Sequence, residues 1–121
     1  MKTILAIDDE VSIRQLMQTI LDFYGFKSIT AENGAIGLQL AKERIPDLII
    51  CDLVMPELDG YGVLAAVRED PKTSNIPFIF LSASTDLEIQ DLAIALGANH
   101  YLSKPLLPND LLNLISIYLK D

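Results

Sequence analysis

Two spacings of hydrophobic residues alternate along this chain. Short, unbroken apolar runs at Ile4–Ile7, Leu48–Cys51 and Phe78–Leu81 are separated by longer stretches in which apolar residues return every three or four positions. Unbroken runs of this length fit strands covered on both faces. Two weaker runs, Ser28–Ala31 and Asn99–Leu102, bring the predicted strands to five. Among the intervening stretches, Ile13, Leu16, Met17, Ile20, Leu21 and Tyr24 trace one helical stripe, which Gly25 ends. Four more helices are predicted: from about Ala35 to Arg44 ahead of Pro46, from an Asp59 cap to Glu69 ahead of Pro71, from Asp86 to Leu96 closed by Gly97, and from Pro108 to Leu119.

Strict alternation of strand and helix predicts an α/β fold, a doubly wound parallel sheet in which right-handed crossovers put helices on both faces as three layers. The first strand is apolar throughout and belongs in the centre. Lys27, Ser28 and Thr30 leave the second half polar, which suits an edge. The strand order expected is 2-1-3-4-5. No repeat, low-complexity tract or linker interrupts the 121 residues, so residues 1–121 are read as one domain.

Charge and composition narrow the function. Half of the residues are hydrophobic, ample for a core, and the net charge of -8 argues against a nucleic-acid-binding surface. Cys51 has no second cysteine to pair with and is expected to be an inert core thiol. No apolar run reaches the roughly 20 residues of a membrane span. The N-terminus lacks the form of a secretory signal, so a cytoplasmic protein is expected. His100 has no ligand partner in sequence and is expected on the surface or at a strand edge.

Strand ends hold the candidate chemistry. Asp8 and Asp9 follow the first strand, Asp52 the third, Ser82 the fourth and Lys104 the fifth. In a parallel sheet these C-terminal ends share one edge, and ligands bind where the strand order reverses, between strands 1 and 3. Carboxylates gathered there repel one another, so protonation, a metal ion or a cationic side chain must compensate. Hard oxygen donors without histidine or thiolate favour Mg2+ over zinc. Asp9 and Asp52 are the expected direct ligands, with Asp8 acting through a water and the backbone carbonyl of Val54 completing the protein's share. An aspartate beside such an ion can attack phosphorus to form an acyl phosphate. Lys104 and the Ser82 hydroxyl would then take further phosphoryl oxygens.

In this order and at these strand ends, Asp8-Asp9, Asp52, Met55-Pro56-Glu57-Leu58-Asp59-Gly60, Ser82-Ala83 and Lys104-Pro105 resemble the receiver domain of bacterial two-component response regulators. The resemblance runs from Thr3 to the last helix. It implies a flavodoxin-like (βα)5 fold and a cis Lys104–Pro105 peptide. It also implies that Asp52 accepts a phosphoryl group from the phosphohistidine of a sensor histidine kinase or phosphotransfer protein, with Asp8 and Asp9 holding Mg2+. Ser82 would sense the phosphoryl group, Lys104 would pair with it, and Tyr101 matches the aromatic switch position. In this family the change is carried to the face made by the fourth helix, fifth strand and fifth helix, and from there to a downstream protein or output domain. Val54 and Ser84 occupy positions that affect acyl-phosphate lifetime, and an apolar Val54, unable to orient water, points to slow decay.

Such a chain is expected to be a signalling switch rather than a metabolic enzyme. Two other readings compete. A haloacid-dehalogenase-like phosphatase would use the same residue types, but Asp8-Asp9-Glu10 lacks its second aspartate two residues after the first, and the chain leaves no room for a cap domain. A flavodoxin-like electron carrier would need a phosphate loop where this chain has carboxylates. The chain ends with the fifth predicted helix, so no output domain is expected within it, and both a stand-alone receiver acting through protein contacts and a segment of a longer regulator fit the sequence. Asp86, Glu88 and Asp91 leave the fourth helix without basic partners, and no symmetric dimer is expected there.

Overall fold

A computed structural model describes residues 1–119. Its elements run β1 (Thr3–Ile7), α1 (Val11–Phe23), β2 (Lys27–Ala31), α2 (Gly34–Arg44), β3 (Leu48–Asp52), α3 (Gly60–Glu69), β4 (Phe78–Ser82), α4 (Leu87–Ala95), β5 (His100–Ser103) and α5 (Pro108–Tyr118). All neighbouring strands pair in parallel, in the order β2-β1-β3-β4-β5. The expected fold and strand order are therefore those observed.

Unbroken apolar strands feed two cores at once. Leu5, Ile7, Ile49, Cys51, Phe78 and Phe80 point to one face, where they meet Ala41 of α2, Val63, Leu64 and Val67 of α3, and Ala93 of α4. Ile4, Ala6, Leu48, Ile50, Ile79 and Leu81 point to the other, against Met17, Ile20 and Leu21 of α1 and Leu111, Leu114 and Ile115 of α5. Full burial of each large aliphatic or aromatic side chain contributes about 1.5–3 kcal/mol, so β1, β3 and β4 are the rigid floor of the molecule. The edge strand β2 is only half-buried along most of its length, as its polar residues require.

Element ends differ from the sequence reading by a residue or two, each for a local reason. The α2 helix begins at Gly34 because the Asn33 side chain accepts the Ile36 N–H at 2.8 Å. The first helix stops at Phe23, and Gly25 follows in the left-handed region at φ 88°. The fifth strand begins at His100 because Asn99 is used elsewhere: its side-chain carbonyl accepts the Phe78 N–H at 2.8 Å and an Arg68 N–H at 3.0 Å. Both β3 and β4 extend one residue further than expected, so Asp52 and Ser82 are themselves strand residues.

Gly60 lets α3 start directly under the end of β3. A Cβ there would lie 2.5 Å from the Asp52 carbonyl oxygen and 2.9 Å from the Leu53 Cα, both backbone atoms that cannot yield. At Gly62 a Cβ would meet the Cδ1 of Leu58, a flexible side-chain end. Gly60→Ala is therefore expected to destabilise the fold by about 2–4 kcal/mol, whereas Gly62→Ala stays within about 1 kcal/mol. Urea denaturation of the two variants checks the difference.

Candidate functional site

Four strand ends, those of β1, β3, β4 and β5, converge on one edge, and the local backbone brings their side chains to a common cavity. Asp8 follows β1, its N–H donating to the Ala31 carbonyl of β2 at 3.1 Å. Its carbonyl accepts Arg14 Nη1 at 2.7 Å, and its Oδ1 accepts the Glu10 N–H at 2.9 Å. These bonds fold residues 8–10 into a tight turn ahead of α1. Asp8 and Asp52 are buried, while Asp9 and Glu10 are exposed. Beyond β5, the Lys104 N–H donates to the Ser82 carbonyl at 2.7 Å, and the Lys104–Pro105 peptide is cis. The cavity, of about 290 Å³, is lined by Asp9, Glu10, Asp52, Val54, Ser82, Ala83, Ser84 and Lys104.

The Lys104 ammonium stands among three carboxylates: 2.8 Å from Glu10 Oε1, 3.2 Å from Asp8 Oδ2 and 3.6 Å from Asp52 Oδ2. Carboxylate oxygens of Asp8, Glu10 and Asp52 all lie within 4.8 Å of one another. One ammonium against three carboxylates leaves two negative charges unmatched. The strain registers in the acid strengths. Burial, reinforced by Asp8, pushes the Asp52 carboxyl up to about 6, with Lys104 opposing. Burial likewise raises Asp8 against the Glu10 N–H and Lys104. Burial alone would pull Lys104 down, but Glu10, Asp8 and Asp52 together hold it above its ordinary value.

This donor set suits a hard divalent cation. It offers only oxygens, it carries two surplus charges, and the buried Asp8 Oδ2 accepts no well-directed hydrogen bond. Of the residues singled out from sequence, Asp8, Asp52, Ser82 and Lys104 come together, with Asp9 on the rim. The Val54 side chain is 72 % exposed at the same rim. Glu10 was missed as a member of the cluster. Its signal was its place two residues after Asp8, where the Asp8–Glu10 turn brings it over Lys104.

Outside the cavity, the Tyr101 hydroxyl donates to the Ser84 carbonyl at 3.0 Å, tying β5 to the loop that follows Ser82. The Phe80 ring links Tyr101, at 6.4 Å, to Tyr61 of α3, at 5.7 Å. The Tyr61 hydroxyl in turn reaches the Ile89 carbonyl of α4 at 3.4 Å. Cys51 is buried, and burial with Asp52 beside it pushes its thiol well up, as suits an inert group. His100 is half-buried and shares a 2.6 Å hydrogen bond with the Tyr118 hydroxyl of α5, a partner invisible in sequence.

Residues 4–116 match the model of the response regulator receiver domain, and the chain belongs to that family. It is 40% identical over 108 residues to the probable transcriptional regulator ycf27 of Guillardia theta, covering 89% of this chain and 41% of that protein. It is 37% identical over 103 residues to histidine kinase P4 of Formosa agariphila, covering 85% of this chain and 7% of that protein. The chain thus spans less than half the length of these curated relatives. The structure superposes on chemotaxis protein CheY4 of Vibrio cholerae with a TM-score of 0.93 and 34% identity, covering 98% of this chain and 99% of that one. Family membership places the chain among two-component signalling proteins and sets aside the phosphatase and electron-carrier readings. Among the described residues no helix is long and apolar enough to cross a membrane.

A raised carboxyl destabilises the fold as pH rises. Below about pH 4 Asp52 is protonated both folded and unfolded. Between its ordinary value of 3.8 and about 6 only the unfolded chain ionises, and stability falls. The loss by pH 7 is about 3 kcal/mol. Without divalent cations, Asp52→Asn is expected to be more stable than wild type by about 1–3 kcal/mol at pH 7.5, with no gain near pH 4. Thermal melts across that pH range in chelator provide the check.

Proposed function

We propose that Asp52 is the phosphoacceptor of a Mg2+-dependent signalling switch, charged by the phosphohistidine of a sensor histidine kinase or phosphotransfer protein. The observation that carries this reading is a buried carboxylate at the mouth of a cavity, with an ammonium 3.6 Å away and an excess of negative charge around it. Asp8, Asp9 and Asp52, with the Val54 carbonyl, would hold the ion. Bound Mg2+ would supply positive charge against the phosphoryl oxygens.

The chain's own residues do the rest. A carboxylate oxygen of Asp52 forms an O–P bond as the donor's N–P bond breaks, and the electron pair returns to the imidazole nitrogen. No general base is needed, because the nucleophile is already ionised above about pH 6. Lys104 takes one equatorial oxygen and the Ser82 hydroxyl another. As Ser82 turns toward the phosphoryl group, the adjoining loop moves, and the Tyr101 hydroxyl loses or shifts its bond to Ser84. That biases the α4-β5-α5 face, where Leu87, Leu92, Ile94 and Ile117 are exposed apolar residues available to a downstream protein or output domain. We read that partner as a protein rather than nucleic acid, in keeping with the net charge of -8, and the setting as cytoplasmic.

Intact mass after incubation with acetyl phosphate tests the assignment. Wild type is expected to gain one phosphoryl group only with Mg2+, Asp52→Asn none, and Lys104→Ala to gain it about 100-fold more slowly. Phosphate released over many turnovers without an adduct would contradict the assignment.

A further inference from the structure

The three carboxylates around Lys104 are not equivalent. Asp8 and Asp52 are buried, at 0% and 6% side-chain exposure, whereas Glu10 is 56% exposed and yet makes the shortest contact, 2.8 Å. The Glu10 backbone is pinned through its N–H to Asp8, so its side chain alone is free to swing. An ammonium has three N–H donors, and here three carboxylates surround it. Of the three contacts only that to Glu10 has hydrogen-bond geometry, so a phosphoryl oxygen approaching Lys104 competes first with Glu10. Asp8, if it lost the ammonium, would be left as an uncompensated buried charge, a severe penalty, and the Asp52 oxygen gives up its charge as it bonds to phosphorus. Glu10 retreats into water, where its charge is solvated.

We propose that Glu10 is a displaceable counter-ion, holding Lys104 over the cavity in the resting protein and yielding it when phosphorus arrives at Asp52. The inference rests on the phosphoacceptor reading. Glu10 is a positioning residue that acts through Lys104, and its exchange slows phosphorylation. Removing its charge lets Lys104 meet the phosphoryl oxygen without that exchange. Glu10→Gln is expected to speed transfer about three- to fivefold, the scale of a half-exposed ion pair.

The test is the rate at which acetyl phosphate phosphorylates Asp52. In that step an Asp52 oxygen forms the O–P bond, the acetyl O–P bond breaks, and acetate leaves with the electron pair. Wild type, E10Q and E10D are compared at Mg2+ saturating for each, at low and high ionic strength. Aspartate keeps the charge but is one methylene short of Lys104. The expected result is that both variants are faster than wild type and that the gap narrows with salt, because screening loosens the wild-type pair. An E10Q no faster than a phosphorylated wild type overturns the inference alone, as does an E10D matching wild type while E10Q is fast. A wild type that takes no phosphoryl group overturns both this inference and the reading beneath it.

Discussion

Lys104 holds together a group of like charges that would otherwise not share one sheet edge. Its ammonium lies within 3.6 Å of carboxylate oxygens from Asp8, Glu10 and Asp52. Even so it matches only one of their three charges. A site in this condition is poised: a cation, a proton or a rearrangement relieves it, and each relief changes what the surrounding loops experience. Burial first, and the neighbouring Asp8 second, push the Asp52 carboxyl up to about 6. A stable fold can carry this strain because β1, β3 and β4 are buried on both faces and fix the carboxylates in place.

Sheet topology delivers these groups, and packing connects them to the surface. The reversal of strand order sets β1 beside β3, which brings Asp8 to Asp52. Pairing of β4 with β5 aligns Ser82 with Ser103, one residue before Lys104. Two sets of contacts lead from this edge of the sheet toward α4. One runs through the Ser84 carbonyl to the Tyr101 hydroxyl. The other runs through the ring of Phe80 to Tyr61 and the backbone of α4. Under the proposed function these contacts would link a charge event at Asp52 to the exposed apolar residues around α4.

Most of this architecture was legible in the sequence. Unbroken runs such as Leu48–Cys51 and Phe78–Leu81 identified the buried strands, and the polar residues Lys27, Ser28 and Thr30 identified the edge. The convergence of Asp8, Asp52, Ser82 and Lys104 followed from strand direction alone. What sequence periodicity did not contain were contacts set by single side chains. Glu10 joins the cluster only because the Asp8 carboxylate accepts its N–H and turns the chain. Asn99 is drawn out of β5 by its bonds to Phe78 and Arg68, and His100 finds Tyr118 across 18 residues of sequence. Such contacts depend on tertiary placement, which hydrophobic spacing does not encode.

A strained Asp52 carboxylate, buried and crowded by Asp8, is the claim on which the account turns, and carbon-13 NMR of the Asp52 carboxyl during a pH titration tests it directly. Without divalent cations the account predicts a midpoint near 6, as burial and Asp8 require. With saturating Mg2+ the midpoint is expected to fall by at least about one unit, as an adjacent cation favours the ionised form. An ordinary midpoint near 3.8 without metal, unmoved by Mg2+, would contradict the account.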